Sequence, residues 1–395
     1  MKKSAFLAGL LSAVGIAAIS VLLVESLMES PKNEPEQKVV HTARVMAHGD
    51  LLYHDVVYMS ALREDGKYDF SENFQYVKPW FEQADLMIGD FEGTIHPDYP
   101  LAGYPLFNAP KDVLTAIKDA GYDVLDLAHN HILDSGLEGV STTVNAFDEV
   151  GIDTVGVYTK EHRDQAPLLI KEVNGIKIAI LAYCYGFNGL EEGLSKKDYQ
   201  NVLSNLDEER MKEELKRAEK EADVTVVMPQ MGVEYQLEPT DEQVALYHKM
   251  IDWGADVIFG GHPHVVEPSE IVEKDGEKKL IIYSMGNFIS NQRIETMDGV
   301  PTAEWTERGV LMDVTFEKVG QKTKIQTATA HPSWVSRIPT GRYSSEGYDL
   351  YQYQTYILED LIEGGKYREQ LDSETKERVD RAYQEMNEHV HLNWK

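Results

Sequence analysis

From Thr42 to about Ser336 the sequence alternates between short apolar runs and amphipathic stretches, and the apolar runs end in side chains able to bind a ligand. "ARVMAHGD" and "ADLMIGD" read as strands closing on Gly-Asp, "YDVLDLAHN" as a strand closing on His-Asn, and "ADVIFGG" as a strand running into "HPH". Between them "PKDVLTAIKDAG" has Pro at its start and Gly at its end, the punctuation of a helix. "TDEQVALYHKMIDWG" opens on a Thr-x-x-Gln capping box, Thr240 to Gln243. "PLLIKEVNGIKIAILAY" reads as two strands joined at Asn174-Gly175, a two-residue hairpin signal. Strands alternating with helices imply an α/β fold, and the hairpins make its sheets mixed.

In open α/β sheets ligands gather beyond the carboxyl ends of the strands. The polar residues found there are Asp50, Asp90, Asn130, His131, Gln230, His262, His264 and Asn287. Carboxylate, imidazole and amide oxygen together suit a divalent ion such as manganese, iron or zinc. Two such ions can bind a phosphate ester and activate water between them, and a histidine beside them can protonate the leaving oxygen. Each element also has a plainer account: Gly-Asp as a turn, "HNH" as a helix cap, "GGHPH" as a loop. Their occurrence at successive strand ends favours a site.

The 395-residue chain has a formal net charge of −29, which argues against nucleic acid as a partner. Cys184 is the only cysteine, so an intramolecular disulfide and a thiolate zinc cluster are both excluded. It is expected to be a buried apolar residue at a strand end. Residues 4–24 carry no charge and follow Lys2-Lys3. About 20 apolar residues span a bilayer core, so residues 1–24 are expected to be a cytoplasmic start and uncleaved anchor. That places the rest of the chain outside the membrane. Residues 25–41 read as a polar linker, 42–335 as the folded domain, and the Tyr-rich, charged segment 336–395 as a C-terminal helical extension.

The stretches "GDLLYH", "GDFEGTI", "LAHNHILDSG", "QMGVEY", "GGHPHVVEP" and "YSMGNFI", in this order, resemble the CapA family of capsule or poly-γ-glutamate synthesis proteins, an offshoot of the calcineurin-like metallophosphoesterases. The resemblance implies a four-layer α/β/β/α sandwich, two divalent ions, and a single-pass cell-membrane protein working beside polymer-synthesising or exporting subunits. It implies Asp50, Asp90, Glu92, Asn130, His262 and His264 as metal ligands and His131 as general acid. Asp134 would orient His131 or cap the next helix, and Asn287 and Ser284 would line the pocket. Two imidazoles that the pattern expects are missing: Leu52 stands at one position and Gln230 at the other. His48, His54 and Gln230 are the candidate substitutes. Arg293 could meet an anionic substrate or be a surface charge. The expected activity is metal-dependent hydrolysis, of a phosphoester before an amide; the alternative is a non-catalytic scaffold.

Overall fold

The Asn174-Gly175 signal is met by a tight hairpin: both residues take positive φ, 51° and 84°, between β5 (Leu169–Val173) and β6 (Ile176–Cys184). Such a turn matches the right-handed twist of the strands it joins. In β6 the side chains alternate cleanly. Ile176, Ile178, Ile180, Ala182 and Cys184 enter one apolar core, while Ala179, Leu181 and Tyr183 enter another. Both faces are therefore covered, which is why β6 reads as a continuous apolar run. Burying each of its isoleucines contributes roughly 2 kcal/mol.

The computed structural model describes residues 39–394. It shows a mixed α/β fold with two sheets. β6 continues in parallel to β7 (Val224–Gln230) and β8 (Val257–Phe259). Beyond β8 lies the hairpin of β9 (Ser269–Lys274) and β10 (Glu277–Ile282), giving the order β5-β6-β7-β8-β10-β9. On the outer face of this sheet, helix Glu208–Glu221 packs Met211, Leu215 and Ala218 beside Tyr247 and Met250 of helix Asp241–Trp253. The capping box forms as the sequence suggests, with Gln243 N–H on the Thr240 hydroxyl at 3.1 Å.

The other sheet is built on β1 (Val40–Leu52), which already begins inside the expected linker. It runs in parallel through β2 (Leu86–Glu92), β3 (Val124–Asp126) and β4 (Asp153–Val155), while β11 (Asn287–Ile289) pairs with the end of β1. Its far side is antiparallel: β12 (Arg308–Val319), β13 (Lys322–Tyr343) and β14 (Asp349–Ile357). The inner faces of both sheets share one core.

The expectation of a helical extension over 336–395 needs correcting. β13 runs through residue 336 without a break, and β14 adds a further strand; only Ser373–Val390 forms a long helix. In "LYQYQTYI" Tyr351 and Tyr353 share one face of the strand and Tyr356 lies on the other, and Tyr353 and Tyr356 are buried. The helix is tied down by Arg308 to Glu385 at 2.7 Å and by Arg378 to Glu307. The expected anchor over residues 4–24 lies outside the described residues. Among the described residues no helix is long and apolar enough to cross a membrane.

One half-buried ion cluster makes stability depend on pH. His331 on β13 places Nδ1 2.8 Å from Glu359 and Nε2 3.7 Å from Asp313, which also pairs with Arg44 at 2.7 Å. Burial opposes its charge, but the two carboxylates outweigh burial and raise its pKa from 6.5 to about 9. A raised folded-state value gives stability that is complete below 6.5 and lost as pH rises through about 9. His331→Gln should therefore cost on the order of 1–3 kcal/mol at pH 6. Urea unfolding should show the gap between wild type and variant closing by pH 10.

Candidate functional site

Asp50, at the end of β1, is held by its neighbours on either side. Its Cα is in register with Asn287 on β11 and with Asp90 on β2, and Asp90 is in register with Asp126 on β3. In-register residues on parallel strands present their side chains to the same face at a spacing of about 4.8 Å. The sheet thus carries a row of Asn287, Asp50, Asp90 and Asp126, all buried. Glycine permits this closeness: a Cβ on Gly49 would sit 1.9 Å from the Gly286 carbonyl oxygen.

The opposite wall comes from the second sheet. Gln230 ends β7, and its amide Nε2 donates to Asp90 Oδ2. The stretch after β8 brings in His262 and His264, both with positive φ, 95° and 57°. Non-glycine residues hold such conformations only where their surroundings impose them. Here Glu267 at the end of the stretch is clasped by Gln243 at 2.6 Å, which fastens the loop to the capped helix.

His264 Nδ1 lies 2.9 Å from Asp50 Oδ2 and 3.2 Å from Asn287 Oδ1. Asn287 spends its NH2 on Gln292 and the Thr306 carbonyl, so both atoms facing His264 Nδ1 are acceptors. Asp50, Glu92 and His264 each offer a ligand atom, all within 4.8 Å of one another. His131 sits across from them. Its Nδ1 is 2.7 Å from Asp134, whose same oxygen accepts the Phe107 N–H at 2.6 Å, and its Nε2 is 3.9 Å from Glu92. Asp134 therefore orients His131 rather than capping the helix that follows.

Electrostatics show the cost of this arrangement. Burial, then Asp126, Asp50 and Glu92, push the Asp90 carboxyl well above its usual range. Burial and the Asp50 charge outweigh the neighbouring histidines and lift Glu92 to about 7. Burial opposes charge on His264, but Glu92 and Asp50 raise it to about 10. His131 is likewise raised, by Asp134 and Glu92 against burial. His262 is lowered to about 3 by burial and by its charged neighbours. Buried polar atoms without a partner are Asp50 Oδ1, Asp90 Oδ1, both Glu92 oxygens, Asn130 Oδ1, Gln230 Oε1 and His262 Nδ1. Buried polar groups are ordinarily paired, so a set of orphaned oxygen and nitrogen acceptors facing one cleft fits a cation.

Of the two histidines proposed as substitutes, His48 does not fill that role. A bulge between Ala47 and Asp50 breaks the alternation that would have put His48 on the Asp50 face. His48 stacks on Phe288 with centroids 3.7 Å apart and bonds to Tyr122 and the Gly49 carbonyl, so both ring nitrogens are taken. His54 lies close enough to feel His264 and His131, but its Nδ1 accepts the Asn291 N–H at 3.3 Å. Burial lowers its pKa to about 3, against a hydrogen bond to the Leu52 carbonyl. Leu52 is buried beside Glu92 in the strand register. Ser284 braces the Val265 carbonyl at 2.8 Å rather than lining the pocket. Arg293 is neither a substrate contact nor a surface charge; it is buried against Glu295 and Glu307. Cys184 is buried, with its thiol on the Gly186 carbonyl at 2.9 Å.

Sequence reasoning passed over Asp126 and His129, both buried with a side-chain atom unpaired. It also missed Tyr185, whose ring lies 4.4 Å from His262, and Asn188, which bonds to Asn130 at 3.3 Å. A charged residue inside the apolar run "DVLDLA" and the "FNG" turn were the available signals.

Residues 44–292 match the model of a family described as "Bacterial capsule synthesis protein PGA_cap". The chain belongs to that family. The PGA biosynthesis protein CapA of Bacillus subtilis is 34% identical over 223 residues, 55% of this chain and 57% of that protein. The capsule biosynthesis protein CapA of Bacillus anthracis is 31% identical over 227 residues, 55% of this chain and 54% of its own. The match thus spans little more than half the length of these relatives. Similar solved structures include the calcineurin-like phosphoesterase YfkN from Bacillus subtilis, at 17% identity and a TM-score of 0.45 over 74% of this chain and 91% of that one. A phosphatase from Mycoplasma pneumoniae gives 18% and 0.45 over 74% and 94%.

Two substitutions separate the roles of these side chains. His48→Ala should destabilise the fold by about 2–4 kcal/mol through the lost stack and the orphaned Tyr122 hydroxyl, yet leave metal content unchanged by elemental analysis. Glu92→Gln should lower divalent-ion affinity by at least about tenfold in calorimetric titration.

Proposed function

We propose that the protein is a CapA-like participant in capsule or poly-γ-glutamate synthesis or export, anchored through residues 4–24 and carrying a metal-dependent hydrolase site outside the membrane. The fold that accompanies this reading is a four-layer α/β/β/α sandwich. The observation that carries it is the set of orphaned ligand atoms from Asp50, Asp90, Glu92, Asn130 and His262 in one buried cleft, beside a histidine clamped by a carboxylate.

Asp50, Glu92 and His264, with Asp90, Asn130 and His262, would hold one or two divalent ions. Such ions supply Lewis-acid stabilisation of charge developing on a phosphoryl or carbonyl oxygen. The chain's own residues do the rest. Asp134 fixes the His131 ring and keeps the proton on Nδ1, so Nε2 is the atom that faces the cleft. With its pKa raised by Asp134 and Glu92, His131 stays protonated to a higher pH than a free imidazole and can give the Nε2 proton to a leaving oxygen. Burial of the cleft keeps competing water away and strengthens each of these contacts.

A second reading, a non-catalytic subunit on the same fold, is favoured by one feature. Gln230 replaces an imidazole with an amide and spends its NH2 on Asp90, while Leu52 puts an apolar side chain beside Glu92. Turnover of a chromogenic phosphodiester by the full chain with manganese separates the two. Under the first reading His131→Ala should lower kcat by about 10²–10⁴ without loss of bound metal. Asp134→Asn should lower kcat less and shift the basic limb of the pH–rate profile. No turnover in the wild type, with capsule formation in cells intact in His131→Ala, would establish the scaffold.

A further inference from the structure

The carboxylate row does not stop at Asp90. Asp126 lies next to it in register on β3, is fully buried, and belongs to no role that the family resemblance assigns. One of its oxygens, Oδ1, accepts the Ala128 N–H at 2.7 Å; the other, Oδ2, has no partner. Facing this row is a second one on the opposite sheet, where Cys184, Gln230 and Gly261 are neighbours in register. The Cys184 thiol is committed to the Gly186 carbonyl. Gly261 makes room, since a Cβ there would meet Gln230 Nε2 at 2.6 Å. The amide can therefore lie against Asp90 with its Oε1 buried and unpartnered.

We infer that Asp126 is a cation ligand: its free Oδ2, with Asp90 Oδ1 and Gln230 Oε1, forms an oxygen-only position for a hard divalent ion such as magnesium or manganese. The position is chemically distinct from the Asp50, Glu92 and His264 group, which includes an imidazole. Carboxylate and amide oxygens favour magnesium, calcium and manganese, whereas imidazole favours zinc and its neighbours. With Gln230 in place of the imidazole that the resemblance implies, the donors at this position are all oxygens. The row also explains how Asp126 can be buried beside two other carboxylates. A cation among them turns mutual repulsion into shared attraction, whereas a row without one is held only by neutralising its members.

This inference rests on the metal-site reading above and is tested with the full-length protein, stripped with chelator and titrated with manganese. Free manganese is followed by electron paramagnetic resonance and stability by thermal unfolding. In Asp126→Asn the amide oxygen can still accept the Ala128 N–H, so the turn is kept. Expected are at least about tenfold weaker binding of one manganese equivalent and a smaller metal-induced rise in Tm. The metal-free variant should melt at or above the metal-free wild type, because a buried repulsion is gone. Wild-type binding matched in count and affinity by Asp126→Asn overturns the inference while leaving the metal site standing. Absence of any divalent-ion binding by the wild type overturns both. Should Asp126→Asn fail to fold, Gln230→His decides: it should move selectivity from magnesium and manganese towards zinc by about tenfold or more, and unchanged selectivity overturns the inference.

Discussion

Asp50, Asp90, Glu92 and Asp126 are buried in one cleft, and four carboxylates so placed repel one another unless positive charge shares the space. The surrounding structure answers that constraint. His264 lies against Asp50 and near Glu92, with its pKa raised by both, and His131 lies beyond Glu92 with Asp134 behind it. Gln230 turns its amide hydrogens to Asp90. Each contact supplies a donor or a charge, yet Asp50 Oδ1, Asp90 Oδ1, Asp126 Oδ2 and both Glu92 oxygens are left without a partner. A site tuned only for stability would replace such groups with apolar ones, which is usually neutral or favourable. Their retention is a reason to look for a bound cation.

The same constraint explains where backbone strain is concentrated. His262 and His264 hold positive φ, and Gly49, Gly260, Gly286 and Gly309 let backbones approach where a Cβ would collide with a carbonyl oxygen. These positions bring β1, β11, β12 and the loop after β8 to one place. The strain is balanced at a distance by the Gln243–Glu267 clasp and by the C-terminal helix, where His389 reaches the Val266 carbonyl at 3.1 Å. The C-terminal segment is thus part of what positions the histidine pair, although its sequence carries none of the site residues.

Much of this was legible in the sequence because strand ends are punctuated. An apolar run followed by Gly-Asp, His-Asn or Gly-Gly-His marks where the chain leaves the sheet, and those residues do converge on the cleft. What failed did so for local reasons. His48 was placed by an i, i+2 rule that a bulge invalidates, and bulges leave no mark in hydrophobic periodicity. His54 is near the site, and its Nδ1 is held by Asn291, far away in sequence. The strands within 336–395 depend on the pairing of β13 with β14, which a Tyr-rich, charged composition does not announce. Asp126 was missed because a single acid inside an apolar run looks like an interruption until the register of three strands is known.

The chain's acidity bears on how such a cleft can meet an anionic polymer. A net charge of −29 repels a polyanion over the surface as a whole, with reach limited to roughly 8 Å at physiological salt. Several arginines that could offset it are occupied: Arg293, Arg308 and Arg378 are spent on Glu295, Glu304, Glu307 and Glu385. If the cleft holds cations as proposed, an extended polyanion would gain little by lying along the surface and most by presenting one anionic group to them, at a single linkage or chain end. That makes the charge balance inside the cleft, rather than the surface, the property on which recognition turns.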